Sequence, residues 1–113
     1  MPIFAVHNEE QTLHVFDSAG VAVAYCKGVD VEAGVWRFWD NAGQPLTPDF
    51  IWPNQPGLGV IRSGTYRLVN GEPAEQPNLL QILGQIRSVE GPAPLNTVDG
   101  VRRHLTPGGT GGP

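Results

Sequence analysis

Turn-forming residues divide the first seventy positions of this chain into short segments, so no regular element there can be long. Six segments between the turns are rich in β-branched and aromatic residues: 3–7, 12–16, 21–26, 35–39, 60–62 and 65–69. This composition is typical of short strands bounded by turns. The chain has 15 Gly and 11 Pro, a content often seen in disordered proteins, but 40% of its residues are hydrophobic and its net charge is only −4. We therefore expect a folded core.

Two segments share one turn chemistry, at 16–20 and 39–43. Each has an aromatic residue, then an Asp whose carboxylate can accept from backbone amides, then a Gly three positions after the Asp. Both segments are predicted to be hairpin turns, and Asn70-Gly71 marks a third turn. The segment 44–59 contains four Pro and two Gly, which predicts a long, semi-rigid loop lying over the sheet.

The apolar period changes after position 76. Four apolar residues follow the i, i+3, i+4, i+7 spacing of one helix face: Leu79, Ile82, Leu83 and Ile86. We predict an amphipathic helix over about 77–90, with Pro77 at its first position and Gly91-Pro92 ending it. A shorter helix is predicted over about 97–105, with Asn96 as its N-cap.

The order of the elements, strands first and helices afterwards, favours an α+β fold. We predict a curled or barrel-like antiparallel sheet of roughly five to six strands, closed on an apolar face by the amphipathic helix. Residues 1–105 are expected to form one domain. The remaining segment, 106–113, is mostly Gly and Pro and is expected to be a disordered tail.

Charge and cysteine content exclude several classes of function. Seven basic residues against eleven acidic ones make a nucleic-acid partner unexpected. Cys26 has no second cysteine to pair with, so neither an intrachain disulfide nor a multi-cysteine zinc site is expected. The N-terminal residues lack the pattern of a secretion signal, and no apolar run reaches the roughly 20 residues that cross a bilayer. These features predict a soluble, cytoplasmic protein that binds no membrane.

Aromatic residues are concentrated near the middle of the chain. Five of them fall within positions 36–52: Trp36, Phe38, Trp39, Phe50 and Trp52. Strand alternation places Trp36 and Phe38 on one face of a strand and Trp39 on the other. The rings on one of these faces must therefore pack against another part of the chain or contact a partner. Exposed rings could anchor a protein interface or stack on sugars. The alternative is that the rings form the core and the Pro-rich loop covers Trp39 and Trp52.

Other chemically active residues form no recognised motif. His7 and His14 would approach each other if the first two strands form a hairpin, but their spacing matches no metal-ligand signature. Cys26 follows an alanine-rich segment, which is typical of a core thiol. No nucleophile elbow or triad is present, so we assign no catalytic residue, no metal and no cofactor. Arg37, Arg62 and Arg67 lie on three predicted strands and could form a small anion-binding patch.

Three hypotheses for function follow, in order of preference. The first is a non-catalytic interaction protein, of an accessory, inhibitor or immunity type, that binds a protein partner or a second copy of itself. Its contact surface would be aromatic and Pro-rich, and its expected binding residues are Trp39, Phe50, Trp52, Tyr66, Arg37, Arg62 and Arg67. The second is a carbohydrate-binding or small-ligand-binding module. The third is a small enzyme with a polar site in a barrel mouth, built from His7, His14 and the arginines.

Overall fold

The computed structural model describes residues 1–52, 64–72 and 75–106, together with the backbone of 55–57 and 60–62. The elements are short strands and short helices. The strands are β1 (Ile3–His7), β2 (Thr12–Phe16), β3 (Trp36–Trp39), β4 (Pro45–Trp52), β5 (Gln55–Gly57), β6 (Val60–Arg62), β7 (Thr65–Asn70) and β8 (Ser88–Glu90). The helices are α1 (Ala19–Tyr25), α2 (Gly28–Glu32), α3 (Leu79–Ile82) and α4 (Val98–Leu105).

Six of the strands form one open sheet in the order β7-β4-β3-β1-β2-β8, and β5 pairs with β6 separately. The predicted α+β fold with a curled sheet is confirmed. The prediction of a wholly antiparallel sheet needs one correction, because β8 runs parallel to β2 at the sheet edge. The connection from β2 to β8 passes through most of the chain, which supplies the long crossover that a parallel pair requires.

Helices cover the middle of the sheet on both faces, and each face has its own core. On the first face, Ala22 of α1, Cys26 at the end of α1 and Val31 of α2 pack against the strand residues of the sheet. The strand residues of this core are Ile3, Ala5, Phe16, Phe38, Leu46 and Tyr66. On the second face, α3 and α4 contribute Leu79 and Val101 to a core that contains the strand residues Phe4, Val6, Leu13 and Trp39. Buried residues on both faces explain why β1 has four consecutive buried side chains.

The predicted strand at 21–26 and the predicted hairpin at 16–20 are both wrong, because this part of the chain forms α1. The Ser18 hydroxyl accepts a hydrogen bond from the Val21 backbone amide and caps the helix. Alanine alternates with valine through the segment, and alanine has the highest helix propensity. The Asp-Ser pair that resembles a turn is therefore a helix start.

The predicted hairpin turn at 39–43 is confirmed and joins β3 to β4. The Asp40 carboxylate accepts from the backbone amides of Ala42 and Gln44, both at 2.9 Å. Gly43 has φ of +80°, a conformation that favours glycine. The local chemistry of this turn determines its structure.

The predicted loop at 44–59 is wrong, because residues 45–52 form β4 and pair with β7. Backbone groups point to alternate sides along a strand, and the Pro45 carbonyl accepts from Gly71 just beyond β7. The Pro48 nitrogen therefore points away from β7, and β3 pairs only with Pro45 and Leu46. Proline has no backbone N–H to donate. None is needed at position 48, because no described strand pairs with that side of β4 there.

The predicted helix over 77–90 is present only at its beginning. The first helical residue is Leu79 and not Pro77; Asn78 caps α3, and its side chain forms a capping box with Gln81. A 3-10 turn, Leu83–Gln85, follows, and the segment ends in strand β8. The shorter predicted helix is confirmed as α4, although Thr97 caps it in place of Asn96.

Candidate functional site

One part of the sheet lacks the helical cover found elsewhere. Beyond Leu46, β4 pairs only with β7, so segments 47–52 and 65–69 form a two-stranded extension that we call the ribbon. The buried strand residues of the core under α3 and α4 come from β1, β2 and β3, and Val89 of β8 packs against this core. On that second face of the ribbon, Thr47, Asp49 and Arg67 are exposed, and Val69, at the end of the ribbon nearest the covered part of the sheet, is half buried. The second face is thus covered over the middle of the sheet and bare over the ribbon.

A β-bulge places a tryptophan on this bare face. Phe50 pairs with Tyr66 and Trp52 pairs with Thr65, so one extra residue, Ile51, is inserted in β4. The insertion shifts the alternation by one position, so Trp52 lies on the same face as Arg67. Trp52 is 66% exposed and Ile51 is 56% exposed, both large values for hydrophobic side chains.

Charged side chains accompany the exposed tryptophan. Arg67 Nε donates to Asp49 Oδ2 at 3.0 Å across the two strands of the ribbon. Both side chains are half exposed or more, so the pair contributes little to stability. The bare face therefore combines an apolar ring, a cation and an anion; tryptophan and arginine are enriched at protein interfaces, whereas aspartate is depleted there.

Two of the predicted binding aromatics, Trp39 and Tyr66, are buried and hold the fold together. Trp39 is fully buried in the second-face core, and its indole N–H donates to the Pro77 carbonyl at 2.8 Å. The Tyr66 hydroxyl donates to the Cys26 carbonyl, and burial raises the pKa of Tyr66 above its usual range. Phe50 is half buried against the Tyr66 ring. Trp52 is the predicted aromatic that the structure presents to solvent.

The predicted arginine patch is divided between different partners. Arg37 Nε donates to Asn8 Oδ1 at 2.6 Å, and its guanidinium lies 5.4 Å from the centre of the Trp39 ring. Burial lowers the pKa of Arg37. Arg67 pairs with Asp49, as described above. The Arg62 side chain lies outside the described residues.

A second aromatic surface lies on the first face of the sheet, over β1, β2 and β3 and away from the ribbon. The hairpin of β1 and β2 places two histidines against one tryptophan ring, with ring centres 5.2 Å apart in both contacts. Tyr25 of α1 contacts the same tryptophan at 6.0 Å. We call this set the ring cluster; its members are His7, His14, Phe16, Tyr25 and Trp36. The sequence predicts that the two histidines approach each other. It does not predict the ring cluster, because its pattern places Tyr25 on a strand.

Two carboxylates flank the ring cluster. Glu90 is the register neighbour of His14 on the adjacent strand, and Glu10 Oε1 lies 3.9 Å from His7 Nδ1. Burial lowers the pKa of His14 below its ordinary value of 6.5, with a smaller opposing effect of Glu90 and Glu10. Burial therefore favours the neutral form of the His14 imidazole.

The residues considered for a catalytic or metal site lie in different parts of the described structure. Among them, no group of three His, Cys, Asp or Glu side chains could hold a metal ion. Cys26 is buried, and burial raises the pKa of its thiol to about 12, so it stays protonated. His104 Nε2 lies 2.8 Å from Asn41 Oδ1, beside an open groove of about 520 Å³. His7 and Arg37 lie on opposite faces of the sheet.

Comparison with protein-family models, with curated proteins and with solved structures finds no significant match to this chain. Within the described part of the chain, every helix is too short or too polar to cross a bilayer.

Proposed function

We propose that this chain is a non-catalytic interaction protein that binds a protein partner through the second face of the ribbon. The observation that carries the proposal is the bare face around Trp52, which lies beside a sheet region covered by helices on both faces. Exposure of the Trp52 ring to water contributes nothing to the stability of the ribbon. Burying the ring against a partner would remove apolar area from solvent.

The ribbon also offers polar contacts that would orient a partner. Asp49 and Arg67 supply one acceptor and one donor next to Trp52, and each could be re-paired by a partner side chain. On the β3 side of β4, the positions beyond Leu46 have no ladder partner among the described residues. A partner strand could add hydrogen bonds there, although Pro48 would interrupt the ladder.

Site-specific photo-crosslinking in the source cell tests the proposal. A photoreactive phenylalanine analogue replaces Trp52 in one variant and Leu80 in a control, since Leu80 is a partly exposed residue on α3. The variant at position 52 is expected to give an adduct with one protein, and the control is not. Excess unlabelled wild-type chain should suppress the adduct, whereas excess Trp52→Ala chain should not.

Once the partner is identified, the Trp52→Ala substitution is expected to weaken binding by about 2 kcal/mol, or roughly thirtyfold in Kd, because central tryptophans are frequent hot spots. Isothermal titration calorimetry measures the change, with Leu80→Ala as the control. Equal affinities for the two variants would contradict the proposal, as would adducts at position 80 alone.

A further inference from the structure

The ring cluster has a geometry that differs from a flat stacking platform. Three of its rings meet Trp36 nearly at right angles, at 83° for His7, 71° for His14 and 80° for Tyr25. Tyr25 is 56% exposed, and Trp36 and His14 are half buried, so the contacts open to solvent. Nearly perpendicular rings form a corner with two aromatic walls. A rounded group can contact both walls together, whereas a planar group can stack on only one.

The charges around the corner are negative. Glu90 lies beside His14 in the sheet, and Glu10 follows His7 in the turn that joins β1 and β2. Both carboxylates act on His14, while burial, the larger effect, lowers its pKa and favours the neutral imidazole. The corner therefore presents electron-rich aromatic surface with carboxylates nearby. Aromatic faces attract cations, most strongly those of tryptophan and tyrosine.

We propose that the corner formed by Trp36, Tyr25 and His14 binds a quaternary ammonium group. A tetrahedral alkylated ammonium fits two perpendicular walls and loses little hydration on an open surface. A primary ammonium would lose more hydration, and a guanidinium or a sugar ring would need one flat face. The same head group occurs on small molecules such as choline and on trimethylated lysine side chains. This site is separate from the ribbon and does not depend on the function proposed for it.

Nuclear magnetic resonance titration of the whole chain tests the proposal with isosteric probes. Choline is compared with 3,3-dimethyl-1-butanol, which has the same shape but no charge. Choline is expected to shift the Trp36 indole signal saturably, with a Kd at least tenfold below that of the neutral probe. A short peptide with trimethyllysine is compared with its tert-butyl analogue in the same way, and the tighter cation identifies the source of the head group.

Substitutions separate the corner from general apolar binding. Tyr25→Ala is expected to weaken choline binding at least fivefold, Tyr25→Phe to retain it, and Glu90→Gln to weaken it, while Leu80→Ala has no effect. Tyr25 and Glu90 are exposed, so these variants are expected to fold. Equal binding of choline and its neutral isostere would overturn the proposal. The proposal would also be overturned if the Trp36 indole signal did not shift. Methyl glucoside serves as a sugar probe, and tighter binding of it than of choline would contradict the proposal as well.

Discussion

Replacing Trp39 by Ala is expected to reduce the free energy of unfolding by about 3–5 kcal/mol. The side chain is fully buried between the sheet and the helices of the second face, and its indole N–H is satisfied by the Pro77 carbonyl. Alanine would leave a large cavity and an unpaired carbonyl, and small domains have only about 5–15 kcal/mol of total stability. Urea denaturation followed by circular dichroism measures the change.

Trp52→Ala provides the matched control, because it removes the same side chain from the bare face of the ribbon. We expect its free energy of unfolding to change by no more than about 0.5 kcal/mol. A loss of several kcal/mol for Trp52→Ala, similar to that for Trp39→Ala, would show that the ribbon tryptophan is packed and would contradict the described fold.

Replacing Gly100 by Ala is expected to destabilise the protein by about 1–3 kcal/mol, although alanine is the better helix former by about 1 kcal/mol. Gly100 lies inside α4, where a Cβ would clash with the Pro94 carbonyl oxygen. Because the obstacle is backbone, the helix or the 94–95 segment would have to move. Thermal and urea unfolding of the variant measure the effect.

Gly20→Ala is the control for this prediction, since Gly20 also lies in a helix. Its nearest obstacle is the Ser18 hydroxyl at 3.8 Å, an ordinary contact. We expect this variant to be more stable than the wild type by up to about 1 kcal/mol. If both alanine variants were stabilised equally, the close approach of Pro94 to α4 would be wrong.

Elements whose structure is decided by local chemistry were predictable from the sequence. The Asp40 turn is one, because its carboxylate and Gly43 satisfy the turn without help from distant residues. The helix at 98–105 is another. The segment 79–90 was predicted only in part, since Leu79, Ile82 and Leu83 become buried as expected while the backbone after them changes to a 3-10 turn and a strand. Periodicity specifies which side chains are buried more reliably than it specifies the backbone.

The remaining errors depend on tertiary context. The pairing of β4 with β7 alone beyond Leu46 cannot be read from a Pro-rich segment, because it depends on where β3 ends. The exposure of Trp52 depends on a bulge of one residue, and alternation alone would have placed it on the other face. The ring cluster required α1, where a Ser18 cap was the available signal. The sequence therefore suggests Trp52 as a candidate contact residue but not the reason for its exposure.

Hydrogen exchange of the tryptophan indole groups tests the central claim most directly, namely that the second face is covered over Trp39 and bare over Trp52. The dilute, monomeric chain is transferred to D₂O, and the indole N–H signals are followed by nuclear magnetic resonance. The Trp39 signal is expected to persist, because the group is buried and bonded to the Pro77 carbonyl, and the Trp52 signal to vanish at once. Protection of Trp52 equal to that of Trp39 would contradict the account.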